Sequence, residues 1–262
     1  MTDVPRTRVA LITGASSGIG AALATELAGA GHTVVLSARG VDRLEATAAR
    51  IRGCGGRALV VPCDVADRGA VEDLVSRVLA EAGRLDVVVA NAGAYSRKAA
   101  TQLGRVDFES AFAVNFFGAV HLVEAALPHL QRQRSGHLVL MTSFDAKKAM
   151  PHDGAYAAAK AALATFGATL RQDLRGSGVH VCTVFPGRVD TPMIDDLDVP
   201  AISAKIRPER VARAVVRAIR RRRPEVVVPW HCGLLAWADM VSPRLGDWFV
   251  RVLDLDGRLR SP

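Results

Sequence analysis

The stretch VALITGASSGIG, residues 9–20, decides the fold of this chain. Val9–Thr13 is a largely apolar run of the kind expected for a parallel strand buried on both faces. Glycines follow at positions 14, 18 and 20, and helical periodicity begins at once. Glycine permits a tight turn and close backbone approach to a phosphate, while a helix N-terminus supplies N–H donors and a favourable dipole. The stretch is therefore typical of a strand–turn–helix unit that binds a pyrophosphate, although its spacing differs from G-x-G-x-x-G.

Apolar runs and amphipathic stretches alternate along most of the chain. The runs predict seven buried strands: Val9–Thr13, Thr33–Ser37, Ala58–Val61, Val87–Ala90, His137–Thr142, Val179–Phe185 and Val226–Val228. The periodic stretches between them predict six helices: Gly18–Ala30, Asp42–Arg52, Ala70–Ala82, Phe108–Gln131, Ala155–Leu174 and Pro208–Arg222. This alternation predicts right-handed βαβ units and hence a single α/β domain with a Rossmann-type doubly wound parallel β-sheet.

The chain changes character near residue 229. We expect residues 1–229 to form the dinucleotide-binding and catalytic domain, and 230–262 to form a C-terminal amphipathic helical tail. All three tryptophans lie in this tail, whose apolar residues follow helical spacing. Packing on the same domain or on a partner subunit is the favoured interpretation. A cover over a substrate pocket comes next, and weak peripheral contact with a membrane is the least favoured.

A second region departs from the strand–helix alternation. Residues Gly187–Arg207 contain Thr191-Pro192, four aspartates and Pro200 without clear periodicity. A long irregular segment inside a compact domain is typical of a lid or binding loop.

Composition narrows the class of protein. Hydrophobic residues make up 50% of the chain and charged residues 23%, which is ordinary for a globular protein. No stretch approaches the ~18 uninterrupted apolar residues of a transmembrane helix, and the first strand begins too early to leave room for a signal peptide. The four cysteines are widely spaced, which favours reduced thiols. These features predict a cytoplasmic protein with no integral membrane segment.

The net charge of +8 raises the question of an anionic partner. The densest basic run, Arg220–Arg223, ends a predicted helix, where cations favourably meet the helix dipole. No zinc-finger spacing or basic stripe interleaved with aromatic residues supports nucleic-acid binding. The seven histidines show no metal-ligand spacing. We therefore expect no nucleic-acid partner and no metal.

Tyr156 and Lys160 indicate a proton-transfer site. They lie four residues apart on a predicted helix, so their side chains project from the same face as neighbours. An ammonium beside a phenol favours the phenolate, which makes the hydroxyl a usable proton donor or acceptor. Ser143 ends the fifth strand, where sheets of this class place ligands. Asn115 lies within an amphipathic segment, where a buried amide needs a hydrogen-bond role. The alternative interpretations are that Ser143 only caps the loop after the strand and that Asn115 has a purely structural role.

The end of the second strand bears on cofactor choice. A site for NAD commonly places an acid about 20 residues beyond the glycine turn, to bind the ribose 2′-hydroxyl. Here Ala38 and Arg39 occupy that position, with Arg43 one helical turn on. A guanidinium suits a 2′-phosphate, so NADP(H) is preferred over NAD(H), with a surface cation as the alternative.

Together these residues resemble the short-chain dehydrogenase/reductase family from Val9 to about Val228. Besides the glycine turn, the chain shows Cys63-Asp64-Val65 after the third strand, Asn91-Ala92-Gly93 after the fourth and Pro186-Gly187 with Thr191 after the sixth. Asn115, Ser143, Tyr156 and Lys160 match the family's catalytic tetrad in type and spacing. The tryptophan-rich tail departs from the short ending of many members.

The resemblance implies hydride transfer between NADP(H) and a carbonyl/secondary alcohol pair. Tyr156 would be the general acid or base, Lys160 would lower its pKa, Ser143 would bind the substrate oxygen and Asn115 would hold a proton-relay water. The implied cofactor-binding residues are Gly14, Ser16, Ser17, Gly18, Ile19, Gly20, Arg39, Arg43, Asp64, Val65, Asn91, Ala92, Gly93, Tyr156, Lys160, Pro186, Gly187, Val189 and Thr191.

The resemblance also bears on the partners and the substrate. The resemblance implies a small-molecule carbonyl or alcohol substrate and a homodimer or homotetramer, with helices Phe108–Gln131 and Ala155–Leu174 at the dimer interface. Asp145, Met150, His152, Asp153, Arg188 and the segment from Met193 to Ile202 are expected to line the substrate pocket, without selecting one substrate. The alternative function is a non-catalytic NADP(H)-binding regulatory protein, which would not need the tetrad.

Overall fold

The computed structural model describes residues 7–259 and has one dominant sheet. Its seven parallel strands lie in the order β3-β2-β1-β4-β5-β6-β8. Their bounds are β1 Val9–Thr13, β2 Thr33–Ser37, β3 Arg57–Val60, β4 Val87–Ala90, β5 Gly136–Met141, β6 Val179–Pro186 and β8 Glu225–Val228. Two short strands, β7 Leu197–Asp198 and β9 Arg258–Leu259, form a separate antiparallel pair. The predicted doubly wound α/β fold is confirmed; residues 1–6 and 260–262 of the predicted ranges lie outside the described residues.

Helices cover both faces of the sheet. Their bounds are α1 Gly18–Gly29, α2 Val41–Gly53, α3 Arg68–Ala82, α4 Arg105–Phe112, α5 Gly118–Gln133, α6 Gly154–Asp173, α7 Pro208–Arg220, α8 Cys232–Val241 and α9 Pro243–Val252. Buried residues of α1, α2 and α7 form one large core cluster with the sheet, and those of α3, α5 and α6 form a second. Ala111, Ala155 and Ala159 form a small third cluster between α4 and α6. The two large cores hold the strands rigidly, so the loops at their carboxyl ends meet at one edge.

The strands and most helices agree with the sequence prediction to within about two residues. The exception is the segment predicted as one helix, Phe108–Gln131. It begins at Arg105 and is interrupted by a π-helical turn, Ala113–Phe117, between α4 and α5. Single π turns re-aim side chains and are frequent at functional sites. Here the turn contains Asn115, whose Nδ2 donates to Ala111 O at 3.0 Å.

The segment Gly187–Arg207, predicted to be an irregular lid, contains defined structure. Its ends are tied by backbone bonds from Ile206 N to Arg188 O and from Asp190 N to Ile206 O, both 2.9 Å. Two 3₁₀ turns, Pro192–Ile194 and Ala201–Ser203, flank β7. Because β7 pairs with β9, the end of the tail holds this lid in place.

Charged side chains fasten the tail to the domain. Buried Lys148 donates from Nζ to Asp239 of α8 and Asp247 of α9, both at 2.7 Å. Arg97 donates from Nη2 to Asp256 O at 2.7 Å, and Arg188 donates to Leu255 O. The tail is thus held at both helices and at the segment that precedes β9.

One helical run among residues 7–259, Arg105–Gln133, is long and apolar enough to cross a bilayer on length and composition alone. Core helices pass the same test. Leu122, Val123, Ala126 and Leu130 of α5 are buried in the core against the sheet. We therefore interpret this run as part of the domain core.

Replacing Arg97 by methionine tests the tail attachment. Arg97 pairs with Asp153 at 3.2 Å, and the two side chains are only 6% and 8% exposed. Because the variant leaves a buried carboxylate unpaired, we expect the free energy of unfolding in urea to fall by about 3–5 kcal/mol. Arg105→Met is the control, since its pair with Glu109 is exposed and should contribute less than about 1 kcal/mol. Equal losses in the two variants would contradict this account.

Candidate active site

The carboxyl edge of the sheet opens into a cavity of about 860 Å³. The loops after β1, β4, β5 and β6 form its floor, and the lid and tail form its walls. Of the predicted site residues, the cavity is lined by Gly14, Ser16, Ser17, Gly18, Ile19, Asn91, Gly93, Ser143, Tyr156, Lys160, Pro186, Gly187, Val189 and Thr191.

The glycine turn is packed tightly against the end of β4. Gly14 has a φ of +64°, and a Cβ there would lie 2.8 Å from Ala92 Cα. A Cβ on Gly20 would lie 2.6 Å from Asn91 Nδ2. Asn91 Nδ2 donates to Thr13 O at 3.0 Å and to Gly14 O at 3.2 Å. The turn therefore requires glycine, and the Asn91 amide fixes its shape.

The start of α1 fits the pyrophosphate of a dinucleotide. Ser17 at its N-cap makes no side-chain cap hydrogen bond, so the first-turn N–H groups have no side-chain acceptor from the cap. Such groups, together with the helix dipole, are suited to an anion. Arg39 and Arg43 lie exposed at the end of β2 and the start of α2, and neither forms an ion pair within residues 7–259. The glycine cradle and these two free cations together fit a phosphorylated dinucleotide.

The Asp64-Val65 motif follows β3. Asp64 is exposed and accepts from Ala66 N at 3.1 Å. Val65 is buried in the core against Gly118, and its carbonyl oxygen lies 3.1 Å from His121 Nδ1, so only its backbone N–H is left for a ligand. Ala92 and Gly20 pack closely against the backbone of Gly14 and so constrain the conformation of the glycine turn.

Lys160 is the buried cation of the site. Its side chain is enclosed, and Nζ donates to Met141 O at 2.9 Å. Burial lowers the pKa of Lys160 to about 8. Nζ lies 5.8 Å from the centre of the Tyr156 ring, on the same helix one turn away. This arrangement places one ammonium beside the phenol, as the spacing in the sequence predicts.

The pKa of Tyr156 does not shift in the expected direction in this structure. Burial raises it, the nearby Asp145 carboxylate raises it further, and a hydrogen bond with Ser143 opposes the change. The shift has a physical cause, because a phenolate here would be poorly solvated and would face the Asp145 carboxylate. The expectation that Lys160 lowers the pKa of Tyr156 stays a prediction.

Asp145 is close to the predicted catalytic serine. Ser143 Oγ donates to Asp145 Oδ2 at 2.8 Å, and Asp145 N donates back to Ser143 Oγ at 3.2 Å. Burial, followed by repulsion from Asp153, raises the pKa of Asp145 to about 6. The proton of the Ser143 hydroxyl is thus engaged by a carboxylate rather than directed into open space.

Asn115 is buried and fully engaged with backbone. Its Nδ2 donates to Ala94 O at 2.8 Å as well as to Ala111 O, and its Oδ1 accepts from Ala94 N at 3.2 Å. A Cβ on Gly93 would lie 3.0 Å from Asn115 Oδ1 and 3.6 Å from Lys160 Nζ. Asn115 therefore fixes the loop after β4 against the π turn, next to the lysine.

Sequence reasoning missed Tyr95 and the tail residues of the cavity. The Tyr95 ring packs edge-on against Tyr156 with centroids 5.0 Å apart, and its hydroxyl donates to Asp153 at 2.8 Å. Its place directly after the Asn91-Ala92-Gly93 motif could have indicated this. The apolar wall from the tail consists of Leu234, Leu235, Phe249, Leu253 and Leu255. Helical spacing alone could not show which tail residues face inward.

Within residues 7–259, no group of three or more His, Cys, Asp or Glu side chains is arranged to hold a metal ion. The charged side chains that line the cavity are Lys160, Asp145, Asp153, Arg188 and Arg210.

Comparisons with known proteins agree with this geometry. The family model for short chain dehydrogenases matches residues 8–200. A fatty acyl-CoA reductase of Acinetobacter baylyi is 35% identical over 231 residues, covering 87% of this chain and 78% of that protein. A variant of actinorhodin polyketide ketoreductase with NADPH superposes with a TM-score of 0.81 at 28% identity, covering 87% of this chain and 97% of that one.

A third similar protein is a 3-oxoacyl (acyl-carrier-protein) reductase of Agrobacterium tumefaciens with NADP bound. Its TM-score is 0.78 at 31% identity, with 85% of this chain and 92% of that chain covered. The three similarities therefore extend over most of the domain and are not confined to the glycine turn.

Asp145→Asn tests the electrostatics of the site through stability. A pKa raised in the folded state favours the protonated acid, so the contribution of Asp145 to stability is greatest at low pH and is lost as pH rises through about 6. The amide keeps an acceptor for Ser143 without a charge. We expect the variant to be more stable than the parent at pH 8, by up to about 3 kcal/mol, and the difference to shrink towards pH 4.

The measurement is the free energy of unfolding in urea at several pH values. Asp73→Asn, on the exposed face of α3, is the matched control and should show no such trend. A difference between Asp145→Asn and the parent that stays constant with pH would contradict the raised pKa.

Proposed function

Since the chain belongs to the short-chain dehydrogenase family, we propose that it transfers a hydride between NADP(H) and a carbonyl/secondary alcohol substrate, with Tyr156 as the general acid/base. The observation that carries this proposal is the meeting of Tyr156, Ser143 and buried Lys160 in the cavity that the glycine turn also lines. A dinucleotide cradle and a proton-transfer group within one cavity are what a reductase requires.

The bound nicotinamide supplies the hydride in reduction and accepts it in oxidation. In reduction, Tyr156 donates its hydroxyl proton to the substrate oxygen, and the oxygen–hydrogen bond of the phenol breaks as that of the alcohol forms. Its raised pKa keeps Tyr156 protonated at neutral pH, which suits a proton donor. Oxidation reverses the transfer, with Tyr156 as the base.

Lys160 stabilises the phenolate that proton donation leaves behind. Its ammonium lies 5.8 Å from the centre of the ring, and enclosure strengthens the attraction between them. Ser143 is suited to donate to the substrate oxygen once its hydroxyl turns from Asp145, whose protonation releases it. Asn115 supports the relay by fixing the backbone beside Lys160.

The preference for NADP(H) is supported by charge at the end of β2. Arg39 and Arg43 are exposed, lack acidic partners within residues 7–259, and follow the second strand, the region that selects between the two cofactors in dinucleotide-binding folds. Two of the similar solved structures hold NADPH or NADP. Asp64 and the backbone of Val65 are suited to the adenine end.

The substrate we propose is a carbonyl compound with an apolar chain. Leu234, Leu235, Phe249 and Leu253 of the tail and Ile202 of the lid give the cavity apolar walls beyond Tyr156. The similar proteins include reductases named for fatty acyl-CoA and 3-oxoacyl substrates. An apolar cavity that also contains a proton donor suits a chain with one reducible carbonyl.

For assembly, we propose a homo-oligomer formed through the α4–α5 side. Val106, Phe108 and Phe117 are exposed there although they are apolar, which is typical of a surface that another subunit covers.

Replacing Tyr156 by phenylalanine removes only the proton-transfer group. We expect turnover of NADPH with carbonyl substrates to fall by at least about 10²–10⁴-fold, because the variant lacks the hydroxyl to which the proton transfer is assigned. NADPH affinity, measured by fluorescence titration, should change little. A variant that loses cofactor affinity and activity to the same degree would contradict the role assigned to Tyr156.

The same assay separates the enzyme from the regulatory alternative. Aldehydes and 3-oxoacyl thioesters of increasing chain length serve as substrates. Turnover that depends on Tyr156 and rises with chain length supports the proposal. Tight NADPH binding without turnover of any of these substrates favours a regulatory protein.

Arg39→Asp is expected to move cofactor preference towards NAD(H). The carboxylate repels a 2′-phosphate and accepts from a 2′-hydroxyl, so the NADPH dissociation constant should rise about tenfold to a hundredfold. Arg50→Asp, on the exposed face of α2, controls for a general change in charge. If Arg39→Asp binds NADPH as tightly as the parent, Arg39 does not contact the cofactor.

A further inference from the structure

The tail exposes a large apolar surface. Its members, which we call the tail face, are Trp230, Leu234, Trp237, Met240, Val241, Leu245, Trp248 and Val252. The three tryptophans are 72%, 61% and 49% exposed. They are all the tryptophans of the chain. So large a concentration of exposed aromatic and aliphatic side chains marks an interaction site rather than ordinary surface.

Helix geometry separates this face from the side that packs on the domain. At about 100° per residue, Leu234, Trp237 and Val241 share one side of α8, and Asp239 lies opposite. Asp239 accordingly points to Lys148 of the domain. The exposed apolar side is therefore set by the orientation in which α8 is fastened.

Two arginines of α9 border the tail face, and Asp254 and Asp256 follow the helix along the chain. Leu245, Trp248 and Val252 share one side of α9, and Arg244 and Arg251 run along its edge. The only acids of α8 and α9, Asp239 and Asp247, are both paired with Lys148. A helix with aromatic and aliphatic residues bordered by arginines has the pattern of a helix that lies in a membrane interface.

Trp230 extends the basic border. It lines a groove of about 250 Å³ between α7 and β8, together with Arg210, Arg217, Arg221 and Arg223. None of these four arginines forms an ion pair with an acid among residues 7–259. Unpaired guanidinium groups beside exposed tryptophan are complementary to anionic headgroups above an apolar layer.

The tail face also adjoins the active-site cavity. Leu234 both belongs to the face and lines the cavity, and its neighbour Leu235 lines it as well. Phe249 and Leu253 of α9 line the cavity from the same helix that exposes Trp248. The helices α8 and α9 thus separate the cavity from a partner bound to the tail face.

We propose that the tail face is a docking surface for an anionic lipid bilayer, with the tryptophans in the interface and the flanking arginines on the headgroups. The proposal does not depend on the catalytic function. A second copy of the chain is the less suitable occupant. Symmetric pairing through this face would bring two sets of arginines together while the nearby acids are engaged by Lys148. A bilayer satisfies the arginines and covers the apolar residues at once.

Vesicle binding by the full chain is the test. Vesicles of phosphatidylcholine with about 30 mol% phosphatidylglycerol should sediment the protein, whereas pure phosphatidylcholine should sediment much less. Raising NaCl from about 0.05 M to about 0.5 M should weaken binding. Because every tryptophan lies on the tail face, their emission should shift to the blue on binding and be quenched by lipids brominated near the headgroup.

Variants assign the binding to this face. Trp237→Ser with Trp248→Ser should lower the partition coefficient at least about tenfold, as should Arg244→Gln with Arg251→Gln. Val41→Ser, and Arg50→Gln with Arg175→Gln, remove exposed apolar and basic groups elsewhere and should leave binding unchanged. Circular dichroism establishes whether each variant is folded. If a variant does not fold, quenching of tryptophan emission in the unaltered chain shows whether the tail face enters the bilayer.

Three results would overturn the proposal. The first is no sedimentation with anionic vesicles at low salt, together with unchanged tryptophan emission. The second is binding retained by the two double variants, which would assign it to another surface. The third is a dimer, seen by analytical ultracentrifugation without lipid, that loses its association when Trp237 and Trp248 are replaced.

Discussion

The site depends on the close approach of the glycine turn to the end of β4. The Asn91 amide donates to two carbonyl groups of the turn, and no side chain fits at Gly14 or Gly20 without displacing Asn91 or Ala92. This backbone contact orients the first turn of α1 towards the cavity. It also fixes the loop after β4, which carries Gly93 and Tyr95 to the catalytic side.

Electrostatics in the cavity follow from enclosure. Burial lowers the pKa of Lys160 and raises those of Tyr156 and Asp145. All three shifts disfavour an isolated charge. The site therefore favours a protonated Tyr156 phenol beside a Lys160 ammonium that loses its proton more readily than an exposed lysine does. Asp145 adds a feature that the tetrad motif does not contain, because its carboxylate accepts from the Ser143 hydroxyl.

The tail contributes both to the wall of the cavity and to the exposed surface of the protein. Its inner side chains enclose the cavity, and the β7–β9 pair connects its end to the lid. Its outer side chains are apolar and bordered by arginines. One amphipathic element therefore shapes both the space available to substrate and the surface that surrounds it.

Much of the fold was readable from local pattern. Buried parallel strands are continuous apolar runs, which is why β1, β2 and β4 match their predicted bounds. The glycine turn, Ser143, Tyr156 and Lys160 were found because their spacing is fixed by a single strand or helix. The cavity does bring these predicted residues together, while their chemical roles stay proposals.

Other features could not be read from the sequence. The π turn at Asn115 is set by contacts with Ala94, distant in sequence, which outweigh regular helical periodicity. Tyr95, Asp153 and Arg97 meet only because separate loops converge above the sheet. Sequence by itself determined the strands, the helices and the catalytic spacing, because these follow from neighbours along the chain. Tertiary structure decided the direction of the pKa shifts and which side of the tail faces the cavity, because burial and long-range ion pairs exist only once distant segments pack together.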